Sequence, residues 1–176
     1  QAQQGLFKHQ ARKDGPQNLD MLRNTTRKIF RVKPARIAIV ASAYNAEFVD
    51  GMIDAALAVL GESGVENVEL IRVPGAFEIP VVAGKLARRK RFCPEAVLCL
   101  GVVLRGKTTH AEHIGYSVTQ SLAGVATNTG IPMIHEVLLL ENRSQAKARC
   151  TSAKTNRGAE AAHTALTMVK TIREIA

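Results

Sequence analysis

Four apolar runs, each followed by a stretch with helical spacing, constrain this chain more than any other feature. Arg36–Ser42, Val68–Val73, Ala96–Val103 and Met133–Leu139 are rich in Val, Ile and Leu and read as strands. Between them, Phe48–Leu60 places Val49, Met52, Ile53, Ala56, Leu57 and Leu60 at helical intervals, and Gly61 to Gly64 ends it. Ala76–Arg89 reads as a second helix, with Pro80 tolerated in its first turn. Thr109–Thr127, a short Arg143–Cys150 and a long Gly158–Ile175 complete the helical segments, the last two joined by a polar turn over Thr151–Arg157. Strand and helix alternate, and the strands carry little polar alternation. Such a pattern predicts a parallel sheet covered on both faces. The expected fold is therefore α/β, a three-layer flavodoxin-like arrangement with a four-stranded parallel sheet flanked by helices.

Ligands of open parallel sheets sit beyond the C-terminal ends of the strands. The strand assignment brings Ala43–Asn45, Pro74–Glu78 and Arg105–His110 to that one rim. The last of these is the most telling. In Leu100-Gly-Val-Val-Leu-Arg-Gly-Lys-Thr-Thr-His110 an apolar strand enters a glycine-bounded turn bearing Arg105, Lys107, Thr108 and Thr109, and His110 opens the next helix. Backbone N–H groups at a helix start, aided by the helix dipole, bind phosphate. A histidine there can exchange protons near neutral pH. A phosphorylated small molecule is the substrate class this layout suits.

The other rim segments are less decisive alone. Tyr44 either offers a ring face to a ligand or lies at the edge of the core, and Asn45 offers a donor and an acceptor. Pro74-Gly75 sets a tight turn, after which the N–H groups of Ala76, Phe77 and Glu78 are free to donate. Glu78 reads equally as a helix cap or a ligand contact. Arg149, near the end of the short helix, either complements the helix dipole or reaches the phosphate turn of another subunit. His110 and His113 share a helix face, but no third ligand follows at metal spacing, so no metal is expected, and His113 reads as a packing or interface residue.

Charge and composition narrow the classes. The net charge is +9 over 176 residues. Residues 1–33 hold eight basic side chains against Asp14 and Asp20, a surplus of six. This segment is expected to be a basic arm, flexible or docked in an assembly, ahead of one domain over residues 34–176. Aromatic content is 4% with no Trp, which gives no stacking platform for single strands, so nucleic acid is not an expected partner. No apolar run is long enough to span a bilayer, and Gln1–Asp20 has no signal-like apolar core. Cys93, Cys99 and Cys150 are odd in number and lack metal spacing, which suits free thiols in a cytoplasmic protein.

Taken together, Tyr44-Asn45, Pro74-Gly-Ala-Phe-Glu-Ile-Pro80, Gly101-Val-Val-Leu-Arg-Gly-Lys-Thr-Thr-His110, and Arg149 followed by Asn156-Arg157-Gly158 resemble the lumazine synthase family. The resemblance covers Arg36 to the C-terminus. It implies a cofactor-free transferase of riboflavin biosynthesis. The reaction joins 5-amino-6-ribitylaminouracil to 3,4-dihydroxy-2-butanone 4-phosphate, giving 6,7-dimethyl-8-ribityllumazine as phosphate and water leave. Carried over by position, Tyr44 stacks on the pyrimidine. The backbone at Ala76, Phe77 and Glu78 holds the ribityl chain with Asn45 nearby, and Val103 and Leu104 touch the pyrimidine. Gly106, Lys107, Thr108 and Thr109 form the phosphate pocket, Arg149 completes it, and His110 transfers protons.

The same resemblance implies a homo-oligomer, a pentamer and further an icosahedral shell, with riboflavin synthase as a functional partner. Three positions depart from the family pattern. Lys107 replaces a small residue, Arg157 stands where many members have Lys, and His135 stands where bacterial members often have a Phe that stacks over the ligand from the neighbouring subunit. A non-catalytic flavin- or lumazine-binding shell protein on the same scaffold is the alternative.

Overall fold

The computed structural model describes residues 35–176. The expected arm, residues 1–33, lies outside them, as does Pro34. Four strands form one parallel sheet: β1 (Ile37–Ser42), β2 (Val68–Val73), β3 (Ala96–Leu104) and β4 (Met133–Leu140), in the order β2-β1-β3-β4. The helices are α1 (Ala46–Glu62), α2 (Ile79–Ala87), α3 (His110–Thr129), α4 (Arg143–Cys150) and α5 (Arg157–Ile175).

Alternate strand residues feed two cores, as the pleat requires. Ile37, Ile39 and Ala41 with Leu98 and Leu100 face α1 and α5, where Val49, Met52, Ala161 and Ala165 meet them. Ala38, Val40, Val97 and Cys99 face α2 and α3, against Ile79, Leu86, Val118 and Leu122. The central strands β1 and β3 are buried along nearly their whole length. Three layers result, helix on sheet on helix.

Two expectations need correction. The segment after Pro74 is not one helix. Ala76–Glu78 is a tight 3-10 turn, and the α-helix begins only at Ile79. Pro80 then sits in the first turn of α2, where its missing N–H has no intrahelical partner to lose. Nor is β2 covered along its whole length: Val68 packs on one core and Ile71 and Val73 on the other, but Leu70 is 43% exposed. It is an edge strand whose Glu69 and Arg72 point to solvent and pair with Arg89 and Asp50, both contacts at 2.7–2.8 Å. Charged side chains on an edge also discourage pairing with foreign strands.

A local clamp ties α5 to the rest. Asn156 is buried, and its Oδ1 accepts from the Gly158 N–H at 2.8 Å, capping α5. Its Nδ2 donates to the Gly51 carbonyl at 2.9 Å and to the Cys150 carbonyl at 2.6 Å. Gly158 lies against α1 so closely that a Cβ there would stand 1.9 Å from the Met52 carbonyl oxygen. The Asn-Arg-Gly run is thus the point where α1, α4 and α5 meet.

Candidate active site

Beyond the C-terminal strand ends, the loops are held together by extensions of the sheet ladder. The Ala43 N–H donates to the Val73 carbonyl at 2.7 Å and the Tyr44 N–H to the Pro74 carbonyl at 3.1 Å. The Arg105 N–H donates to the Leu140 carbonyl at 2.8 Å. Asn45 adopts the left-handed region, φ 57°, which asparagine tolerates, and so turns the chain from β1 into α1. Its Nδ2 donates to the Val102 carbonyl at 2.8 Å, fastening this loop to β3. These bonds enclose a cavity of about 750 Å³.

Ten of the residues singled out from the sequence line it: Tyr44 and Asn45 after β1; Ala76, Phe77 and Glu78 after β2; Val103 and Leu104 at the end of β3; and Gly106, Thr108 and His110 at the turn into α3. Tyr44 is 74% exposed and Phe77 59%, so Tyr44 is no core-edge residue. Two rings this open on a cavity wall suit stacking on a flat ligand. Glu78 caps: its Oε2 accepts from the Gly75 N–H at 2.9 Å, while the residue also faces the cavity.

The α3 wall was only partly foreseen. Ala111, His113, Ile114 and Ser117 complete it. His110, His113, Ile114 and Ser117 follow the three- and four-residue spacing of one helix face, the signal that would have found them. His113, expected to be a packing or interface residue, lines the cavity, and its Nε2 lies 3.4 Å from the Thr109 Oγ1. Among the described residues, no group of three or more His, Cys, Asp and Glu is arranged to hold a metal ion.

Other expected residues lie elsewhere. Lys107 and Thr109 belong to the exposed turn but do not line the cavity. Arg105, prominent in the motif, is occupied by Glu112 at 2.5 Å and Glu141 at 3.0 Å and stiffens the turn. Arg149 and Arg157 line a second, smaller cavity of about 390 Å³ with Gln145, Ala148 and the Leu138–Leu140 end of β4. All three side-chain nitrogens of Arg157 have carboxylate partners. Nε and Nη2 donate to Glu136 at 2.9 and 3.0 Å, and Nη1 donates to Glu160. Burial raises the Glu136 pKa above the usual carboxylate range, against the pull of Arg157. Arg149 is exposed on the last turn of α4. His135 lies on the edge strand β4, its Nε2 2.9 Å from the Thr119 Oγ1 of α3, and does not line the large cavity. One chain therefore carries a cavity lined by two exposed rings and two histidines, and apart from it a smaller cavity with an exposed arginine.

The sequence is similar to known proteins over nearly all of the described residues. Residues 34–173 match the family model described as 6,7-dimethyl-8-ribityllumazine synthase. A Kineococcus radiotolerans protein of that name is 42% identical over 143 residues, covering 80% of this chain and 87% of its own. Its counterpart from Syntrophus aciditrophicus is 40% identical, covering 81% and 93%, and that from Yersinia pestis 39% identical, covering 80% and 91%.

Proposed function

The chain belongs to the 6,7-dimethyl-8-ribityllumazine synthase family, and on that premise we propose that its two cavities are halves of one active site. The protein is a transferase of riboflavin biosynthesis that condenses 5-amino-6-ribitylaminouracil with 3,4-dihydroxy-2-butanone 4-phosphate. The large cavity takes the aminouracil. Tyr44 stacks on its ring, Val103 and Leu104 bound the ring edge, and the N–H groups of Ala76, Phe77 and Glu78 meet the ribityl hydroxyls. Gly106, Lys107, Thr108 and Thr109 cradle the phosphate at the start of α3, where backbone N–H groups and the helix dipole favour an anion.

His110 moves protons. The uracil amine attacks the ketone, water leaves and phosphate is expelled, and each step needs a proton taken or given. A guanidinium binds phosphate with two parallel hydrogen bonds and stabilises it as it departs. Arg149 supplies that group to the phosphate turn of an adjacent copy. Holding both substrates in register is itself a large contribution, since effective molarity removes roughly 7–11 kcal/mol of barrier.

The observation carrying this reading is the separation of Arg149 and His135 from the cavity that holds His110 and Tyr44. A head-to-tail ring unites them without leaving an interface open, because such a contact closes on itself. We read the ring as a pentamer, with an icosahedral shell as the higher assembly, working in the cytoplasm and handing its product to riboflavin synthase. Among the described residues no helix is long and apolar enough to cross a membrane. Incubating the protein with both substrates tests the function: lumazine appears together with free phosphate in equal amounts. A protein that binds lumazine but releases no phosphate above the uncatalysed background contradicts it.

A further inference from the structure

The contact between α3 and β4 sets the Thr119 hydroxyl between a backbone carbonyl and the His135 ring. Thr119 Oγ1 is 2.8 Å from the Gly115 carbonyl oxygen and 2.9 Å from His135 Nε2. A threonine hydroxyl has one proton to give. Donated to the preceding helical turn, as threonines on helices commonly do, it leaves Oγ1 only lone pairs for the imidazole. Nε2 must then carry hydrogen and donate, so Nδ1 of the neutral ring is a bare acceptor. No described residue donates to that Nδ1, and the ring is half-buried on the edge strand.

We propose that Thr119 is a positioning residue: it fixes His135 as the Nε2–H tautomer and so aims Nδ1, as a hydrogen-bond acceptor, at an N–H of the aminouracil held by the neighbouring copy. This rests on the reading that His135 reaches that copy's cavity. Phenylalanine in the same place offers a ring but no acceptor. The histidine therefore selects a ligand that presents an N–H donor at this point. The chain Gly115 carbonyl, Thr119 hydroxyl, His135 ring supplies the rigidity that a precise contact needs.

Two measurements on the intact assembly test it. Solid-state ¹⁵N spectra of protein labelled at histidine, assigned with His135→Phe, report the tautomer without any substrate. The wild type and Thr119→Ser show His135 with Nε2 protonated and Nδ1 bare, and Thr119→Val shows mixed tautomers. Protonated Nδ1 in the wild type, or a spectrum unchanged by Thr119→Val, overturns the positioning role whether or not the protein makes lumazine. In steady-state assays Thr119→Val raises KM for the aminouracil about 2- to 10-fold, the worth of one neutral hydrogen bond. It changes kcat and the KM for the butanone phosphate much less, and Thr119→Ser restores the wild-type value. In a His135→Phe background Thr119→Val adds nothing further. Additive effects in that cycle overturn the ligand contact, because Thr119 is then acting by another route.

Discussion

His110 stands at the first turn of α3, exposed on the cavity wall, and its side chain bears no part of the core. Replacing it with alanine is expected to slow turnover by about 10- to 10⁴-fold, the range for losing a general acid–base group, with the urea midpoint of unfolding unchanged. Turnover equal to wild type above the spontaneous condensation would remove the assignment. Arg149→Ala is expected to raise the KM for the butanone phosphate and leave aminouracil binding, read by titration, nearly as it was. Arg149→Lys restores only part, since an ammonium lacks the two-pronged geometry; equal loss for both substrates would contradict a phosphate role. Arg157 behaves differently because it is tied to Glu136. Removing a partner from a buried ion pair costs roughly 3–5 kcal/mol. Arg157 is a third exposed, so Arg157→Met is expected to cost about 2 kcal/mol after that discount. The cost should shrink in acid. Glu136 already has a raised pKa in the folded chain. Between the ordinary carboxylate value and the raised one, the folded form holds a proton that the unfolded form has released. Stability therefore falls as pH rises through that window, and the variant deepens the fall. Unfolding curves at mildly acidic and neutral pH measure it, and a pH-independent difference would contradict the pairing.

At the scale of elements, the crossing of α1 and α5 has the least tolerance. Gly158→Ala puts a Cβ against backbone, not against a movable side chain, and the helices must part. Overpacking of this kind costs about 3 kcal/mol or more. Gly124→Ala on α3 meets nothing within 4 Å and is expected to stabilise by about 0.5–1 kcal/mol through helix propensity. Comparing the two urea midpoints separates close approach from backbone freedom, and similar shifts in both would contradict the clamp. The elements themselves were legible from the chain because period and punctuation agreed: Val68–Val73 and Arg143–Cys150 have their expected bounds. What escaped was set by neighbours far along the chain. The edge position of β2 depends on strand order, which hydrophobic runs do not encode. The structural part of Asn156-Arg157-Gly158 depends on α1 and β4 arriving beside it. The site was half legible for a related reason. Loop motifs marked the rim directly, whereas the α3 face showed itself only once one side of that helix was known to look into the cavity. The fate of Arg105 was hidden too, since Glu141 reaches it from another element.

At the scale of the whole molecule, His110 and Arg149 line separate cavities of one chain, and the proposed function has neighbouring copies bring them together. The thiols of Cys99 and Cys150 are buried inside the fold, with pKa values pushed up by burial to about 12 and about 11, so neither reaches across such an interface. Light scattering at moderate salt measures the assembly: a ring of five or a closed shell of such rings is expected, and an active monomer contradicts a shared site. The most direct test mixes two defective chains. His110→Ala keeps Arg149, and Arg149→Ala keeps His110. Co-expressed in equal amounts, they form mixed rings in which roughly a quarter of the sites pair an intact His110 with a neighbour's intact Arg149. Lumazine synthesis is expected well above either variant alone, approaching that fraction of wild-type turnover. Activity no greater than the mean of the two variants, in assemblies shown to be mixed, would mean that each chain works with its own His110 and Arg149 and that the site is not shared.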